Sequence, residues 1–289
     1  IITELDHEAN RGPWRVLEEV GVKLIEVCLL QNVELDYEDF RNKINDKTVM
    51  VCMGMSSNAL GTLNDFKLVK SFLPENCLFL LDAVHYAPHF SINVKELGCD
   101  FLLCSAYKFY GPHVGFLYSK PGLLEQLETD RLVVQDQKAP YIIETGTLNH
   151  AACAGVSAAI DFIANIGEGS SYRGKLINAF SKISSHEFEL AKQLYDSINN
   201  LDKVNVVGKD FLETKRTPTV SFIHSDLSPK EVCKALASEN ICAWNGHFYA
   251  LKAIQKLQLE HRGGVTRLGV SIYNTKEEIE KTVSIIKSI

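Results

Sequence analysis

The sequence predicts an α/β protein: a mainly parallel sheet with flanking helices, followed by a smaller α/β C-terminal unit. Three observations predict it. Short apolar runs alternate with helical patterns through the first half, as crossover connections between parallel strands require. Residues 77–82 are almost continuously apolar up to Asp82, the pattern of a strand buried on both faces. A second alternating region begins near residue 203, after two long helical stretches.

The elements follow in order. Residues 22–30 read as a strand, and Asp36 caps a helical stretch that reaches Ile44. Residues 48–55 read as a strand, and Asp65 opens a helix that stops near Pro74. Beyond the 77–82 strand come two more, at 100–104 and 114–118. Residues 148–166 are Ala-rich and helical, and Gly167 ends the pattern. A long amphipathic helix over 172–199 then forms a spine leading into the second unit. There, 219–223, 241–244 and 265–270 read as strands. Ser228-Pro229-Lys230-Glu231 and Thr275-Lys276-Glu277-Glu278 are capping boxes. Ile279, Val283 and Ile286 share one face of the last helix. The expected division is a large unit at 1–170 and a small one at 171–289.

Composition narrows the function classes. Of 289 residues, 46% are hydrophobic and 23% charged, which suits a globular chain and excludes a disordered or rod-like one. A net charge of −6 disfavours binding to a nucleic-acid backbone, so no nucleic-acid partner is expected. No apolar run approaches the ~18 residues that span a bilayer, so no membrane partner is expected either. The eight cysteines include no C-x-x-C pair, and most lie in apolar stretches. They read as buried reduced thiols, which points to a cytoplasmic protein. The chain opens Ile1-Ile2-Thr3-Glu4 without the basic and apolar regions of a targeting peptide. It reads as a strand entered partway, hence as N-terminally truncated.

Residues 80–115 carry the strongest chemical signal. Asp82 ends a buried strand, at the edge where open α/β sheets place ligands. Lys108 follows a second apolar strand and precedes aromatic residues and Gly111-Pro112. Partial desolvation there lowers a lysine's pKa and suits it to Schiff-base chemistry. An acid and a lysine on neighbouring strand ends are what pyridoxal phosphate requires, the lysine for its aldehyde and the acid for its ring nitrogen. Spacing alone leaves an ordinary Asp82–Lys108 ion pair open.

Asp82 and His85, then Ser105, Lys108 and Gly111-Pro112, resemble the D-x-x-H/Q and S-x-x-K motifs of fold-type I class V aminotransferases, specifically their cysteine desulfurase-like branch. Further segments match in the same order. Glu4 to Asn10 with Pro13-Trp14 resembles E-H-x-A-N-x-x-P-W, and Glu144 to Asn149 resembles E-x-G-T-x-N. Gly246-His247 resembles the G-H of the active-site loop, and Arg267 with Tyr273-Asn274-Thr275 the R-x-S…Y-N-T segment.

The resemblance implies a PLP-dependent transferase fold and an enzyme, a transferase or lyase, acting on a small-molecule amino acid with pyridoxal 5'-phosphate as cofactor. By the same resemblance, Lys108 forms the Schiff base, Asp82 pairs with the pyridine nitrogen and His7 stacks on the ring. His85 bonds the ring hydroxyl and Ser105 helps to hold the phosphate. Thr147 reaches the phosphate across a homodimer interface, and Arg267 takes the substrate carboxylate near His247. Tyr107 replaces a histidine often found before the lysine and retains a hydrogen-bonding group. The family's phosphate loop is expected upstream of Ile1.

One departure bears on the reaction. Tyr249 stands where desulfurases carry their nucleophilic cysteine. Cys242 reads as a packed strand residue, so little sulfide release by the persulfide route is expected. Transamination, elimination and racemisation stay open. So do a desulfurase or selenocysteine lyase using another thiol, and a non-catalytic homologue acting as a binding or scaffold protein. His85 and His89 lie four apart, but Pro88 breaks the helix a metal pair needs, so no metal is expected. Glu187, beside His186, reads as part of a solvated helix face.

Overall fold

A computed structural model describes residues 1–130, 132–212 and 215–289. Its strands are β1 (Ile2–Thr3), β2 (Glu26–Val27), β3 (Met50–Gly54), β4 (Leu78–Asp82), β5 (Phe101–Ser105) and β6 (Gly115–Ser119), then β7 (Val204–Val207), β8 (Thr219–His224), β9 (Trp244–Gly246) and β10 (Val265–Gly269). The helices are α1 (Gly12–Arg15), α2 (Tyr37–Lys43), α3 (Phe66–Phe72), α4 (Val94–Leu97), α5 (His150–Ile166), α6 (Tyr172–Asn199), α7 (Pro229–Ser238), α8 (Leu251–Lys256) and α9 (Lys276–Ser288).

The main sheet has the order β3-β4-β5-β6. β4 runs parallel to β3 and to β5, and β6 closes the sheet antiparallel. Alternation along the strands fills both faces. Val51, Met53, Phe79 and Leu81 join one apolar cluster, while Cys52, Leu80 and Phe101 join another. The parallel order brings the C-terminal ends of β3, β4 and β5, at Gly54, Asp82 and Ser105, to one edge of the sheet. The second sheet, β7-β8-β10-β9, is antiparallel throughout. Helix α6 serves both cores: Ala179 and Ile183 pack with the main sheet, Leu190 to Ile198 with the second.

Several expected helix starts are present. Asp36 and Asp65 accept from Asp39 N and Leu68 N, each at 2.9 Å. Both expected capping boxes are complete at Ser228 and Thr275. Such caps contribute about 0.5–2 kcal/mol each.

Two strands differ from expectation for a visible reason. The 22–30 segment forms a strand only over Glu26–Val27, with a single bridge from Leu29 to Leu35 beyond it, because carboxylates take the next backbone donors: Cys28 N bonds Asp39 Oδ2 and Leu29 N bonds Glu4 Oε2. The strand expected at 241–244 begins only at Trp244, because Ile241 N bonds back to Leu236 O and closes α7. The cysteines also divide more evenly than expected. Cys52, Cys77, Cys99 and Cys104 are buried, whereas Cys28, Cys153 and Cys242 are exposed, and all eight are free. No helix among the described residues is long and apolar enough to cross a membrane.

Candidate active site

The strand ends and the turns after them build the site. Asp82 ends β4, and its Oδ1 accepts from Val84 N at 2.9 Å, which fixes the carboxyl on its own turn. Burial raises its pKa, opposed by the Val84 N–H and the Lys108 charge. After β5 a 3-10 turn, Ala106–Phe109, carries Lys108. Tyr110 closes that turn with φ of 70°, a left-handed conformation. Gly111 then passes so close to Ala106 that an added Cβ would sit 3.0 Å from the Ala106 Cβ and carbonyl oxygen. A glycine at this position lets the turn double back and hold the lysine at the sheet edge. Burial lowers the Lys108 pKa, the Arg267 charge lowers it further, and Asp82 opposes both. The amine thus reaches its neutral, nucleophilic form more readily than a surface lysine.

His7 arrives from the segment after β1. Its Nδ1 accepts from Ala9 N at 3.0 Å and caps a short 3-10 turn. Burial and then the nearby Lys108 charge lower its pKa, so the ring favours the neutral form. The 246–249 loop folds onto it: Glu8 N bonds Tyr249 O at 2.7 Å, and the His7 and Tyr249 rings lie 5.3 Å apart. Phe248 and Tyr249 both hold positive φ, 54° and 56°, unusual for large side chains. Side chains clamp the loop in that shape. Asn58 Nδ2 donates to Phe248 O at 2.7 Å, and the Arg267 guanidinium lies 4.1 Å from the Phe248 ring centroid.

Arg267 projects from β10, and its Nη1 donates to Asn58 O at 2.6 Å. Burial brings its pKa down to about 10, so it stays cationic at neutral pH. His85 Nε2 lies 3.0 Å from Thr219 Oγ1 and 3.2 Å from Thr217 Oγ1. Burial, followed by the His89, Lys108 and Arg267 charges, pushes its pKa well down. A cavity of about 280 Å³ is lined by His85, His89, Cys242, Trp244 and Arg267.

The structure thus gathers His7, Asp82, His85, Lys108 and Arg267. Ser105 ends β5 three residues before Lys108. The other expected residues are exposed, although the Tyr107 ring centroid lies 5.9 Å from Lys108 Nζ. Tyr107 is 49% exposed and stacks on His113, with ring centroids 4.8 Å apart. His247 is exposed, with its Nδ1 accepting from Tyr249 N. Thr147 is exposed in the segment before α5, and among the described residues nothing ties it to the Asp82–Lys108 cluster.

Two sequence-level readings need correction. Cys242 does not pack in a strand: it is exposed and lines the Arg267 cavity, because the chain there has left α7 and not yet entered β9. Glu187 is not on a solvated face: its side chain is 1% exposed and pairs with His89, because this turn of α6 lies between the two cores.

Two residues went unnoticed in the sequence. Asn58 is 8% exposed, its Oδ1 is buried without a partner, and it meets both Phe248 and Arg267. The signal was the polar run Ser56-Ser57-Asn58 directly after the apolar β3 strand. Asp6 is 3% exposed, accepts from Gly54 N at 2.7 Å, and senses the Asp82 charge.

The donor set fits pyridoxal phosphate. A carboxyl and a depressed-pKa lysine follow neighbouring strand ends, an imidazole that favours its neutral form lies beside them, and the half-buried Arg267 guanidinium of β10 acts on the lysine from the second sheet.

A family model for class V aminotransferases matches residues 1–282. A probable cysteine desulfurase of Halalkalibacterium halodurans is 31% identical over 294 aligned positions, spanning 97% of this chain and 68% of that protein. An aminotransferase-like protein of Gibberella zeae is 30% identical, spanning all of this chain and 72% of that protein. The apo cysteine desulfurase of Thermococcus onnurineus superposes with a TM-score of 0.87 at 26% identity, covering 99% of this chain and 71% of that one. Motif order, sheet-edge geometry and these likenesses agree: the chain belongs to the class V aminotransferase family, in its cysteine desulfurase-like part.

Proposed function

We infer that this chain binds pyridoxal 5'-phosphate through Lys108 and Asp82 and acts at the α-carbon of a small amino acid. The meeting of Asp82 and Lys108 at the edge of the main sheet with Arg267 from β10 of the second sheet carries the reading. Bound, the cofactor supplies an electron sink for negative charge at the α-carbon. Lys108 would hold it covalently, and its Nζ would be the group to take and return the α-proton. Asp82 would pair with the ring nitrogen and keep its proton in place. His7, favouring its neutral form, covers a ring face, and Ser105 supplies a hydroxyl for the phosphate. Arg267 takes the substrate carboxylate with two parallel N–H donors, which fixes which substituent faces Lys108. The 246–249 loop, with His247 at its start, covers the site and excludes water. Tyr107 and Thr147 point outward in one chain and serve a homodimer interface, where Thr147 reaches the partner's phosphate. A cytoplasmic location accords with eight unpaired cysteines.

A second reading follows from the exposure of Cys242. Tyr249 cannot carry sulfane sulfur, but Cys242 lies on the cavity that Arg267 lines and is open to substrate. With cysteine as substrate, its thiolate would attack the substrate sulfur. An S–S bond forms, the C–S bond breaks, and the released electron pair passes to the substrate carbon. Alanine is then the product and a persulfide stays on Cys242.

The test begins with an absorbance titration of the chain with pyridoxal phosphate, followed by borohydride trapping and peptide mapping. Label on Lys108, and loss of α-protons from added amino acids in D2O by NMR, support the first reading. Label elsewhere, or no exchange with any amino acid, rejects it. A persulfide found on Cys242 after cysteine turnover selects the second.

A further inference from the structure

Phe248 lies over a cation that its loop must double back to reach. In the β9–β10 ladder Trp244 faces Arg267 and Gly246 faces Val265, so the chain leaving β9 runs away from the arginine. Positive φ at Gly246, Phe248 and Tyr249, of 125°, 54° and 56°, turns it back. Ala250 N to His247 O at 2.8 Å and Tyr249 N to His247 Nδ1 at 3.0 Å hold the reversed turn. His247 and Tyr249 are left exposed, whereas Phe248 is half-buried and packs against the main-sheet cluster. Its ring centroid lies 4.1 Å from Arg267 Cζ. Two consecutive large residues at positive φ mark a shape imposed by the surrounding structure, and that shape places one ring.

The ring covers a face of the guanidinium and leaves part of its edge open. Arg267 Nη1 is spent on Asn58 O at 2.6 Å, and Asn58 Nδ2 donates to Phe248 O at 2.7 Å, so ring and cation share one anchor. Nε and Nη2, which form one side of the fork, bond nothing among the described residues, and no carboxylate there pairs with them. A cation stripped of water on its face and unpaired along one edge is set for a planar anion on that edge. Lys108 feels the Arg267 charge, so an anion on Arg267 also offsets a like-charge repulsion.

We propose that Phe248 is a positioning residue for substrate: its ring holds the Arg267 fork in the orientation that takes an α-carboxylate, and the site thereby selects α-amino acids over their uncharged amides. No bond forms or breaks in this step. The proposal rests on the amino-acid reading above.

Propionate, a carboxylate without an amino group, tests it without turnover. Titrated into the cofactor-free full chain, it should shift the Arg267 Nε–H signal in 15N NMR, assigned with Arg267→Lys. Phe248→Leu should raise the propionate Kd about tenfold, whereas Phe248→Tyr, which keeps a ring, should stay within about twofold of the unaltered chain. Phe248→Gly lacks the ring and accepts positive φ without strain. It should match Phe248→Leu, and it decides the matter if Phe248→Leu fails to fold. On cofactor-loaded protein, Phe248→Leu should raise KM for alanine α-proton exchange about tenfold at constant kcat and leave KM for alaninamide unchanged. Four outcomes would overturn the proposal: no Arg267 shift with propionate, undiminished binding by Phe248→Leu or Phe248→Gly, equal weakening by Phe248→Tyr, or equal KM increases for alanine and alaninamide. Absence of exchange with every amino acid would reject the amino-acid reading instead, and the propionate titration would still decide for or against Phe248.

Discussion

Replacing Asp6 with Asn should stabilise the protein at alkaline pH and leave it little changed near pH 4. The carboxyl lies beneath the site, 3% exposed, and its pKa is raised from 3.8 to about 7. Burial is the main cause, the Gly54 N–H opposes it, and the Asp82 charge adds to it. The sign follows from proton binding. Between pH 4 and 7 the folded state holds a proton that the unfolded state has lost, so stability falls as pH rises through this window. The penalty is complete above about pH 7. At about 1.4 kcal/mol per pKa unit it approaches about 4 kcal/mol, an upper bound for a site that relaxes. At pH 5 the same arithmetic leaves about 1.6 kcal/mol, so the pH 5 to pH 8 difference is about 2–3 kcal/mol.

The amide suits the site. Its oxygen can still accept from Gly54 N, which lies 2.7 Å from Asp6 Oδ1. Its NH2 group replaces Oδ2, which now accepts from Asn10 Nδ2 at 3.2 Å. Asn10 Oδ1 is buried without a partner, so a flip of the Asn10 amide would give the new donor an acceptor. The assay is urea unfolding of both proteins at pH 5 and pH 8. The variant's advantage should grow by at least about 1 kcal/mol between them. An advantage that is flat with pH, or a variant less stable by the same amount at both values, would refute the assignment of a buried, reluctantly ionised carboxyl.

Other expectations are briefer. Lys108→Ala should abolish borohydride-trapped cofactor while the circular dichroism spectrum stays native; continued covalent trapping would assign the lysine wrongly. Asp82→Ala should lower turnover at least tenfold while the cofactor stays bound, and normal turnover would remove its role at the ring nitrogen. Cys242→Ser should abolish any cysteine-dependent sulfide release, whereas Tyr249→Cys should raise it. Robust release untouched by Cys242→Ser would direct attention to another thiol. Activity should fall on dilution in parallel with dimer dissociation measured by sedimentation, and a fully active monomer would sink the interface role of Thr147.

Much of the main sheet is legible in the sequence because its signals are local. The apolar run into Asp82 and the aspartate caps at 36 and 65 need only neighbours in the chain. The same holds for the Ser228 and Thr275 boxes. The failures come from contacts that are distant in sequence. No local pattern shows that Glu4 and Asp39 will take the backbone donors of residues 28 and 29 and cut a strand short. Cys242 misleads because Ile241, Ala243 and Trp244 look like a strand, although the first of them is spent closing α7.

Glu187 shows most clearly what lies beyond a pattern. Its place on an amphipathic helix gives one answer, a solvated face, because the pattern assumes a single core. Helix α6 faces two cores, so a turn between them is neither a plain apolar stripe nor open to water. A charge survives there only with a partner, and the partner comes from 98 residues away, on the turn after Asp82. The bond therefore joins the spine helix to the turn that follows Asp82 and to one wall of the cavity lined by Arg267. Movement of α6 relative to the main sheet has to either break that bond or carry His89 along. The side chain read as the least interesting acid on its helix becomes a fixed point between fold and site.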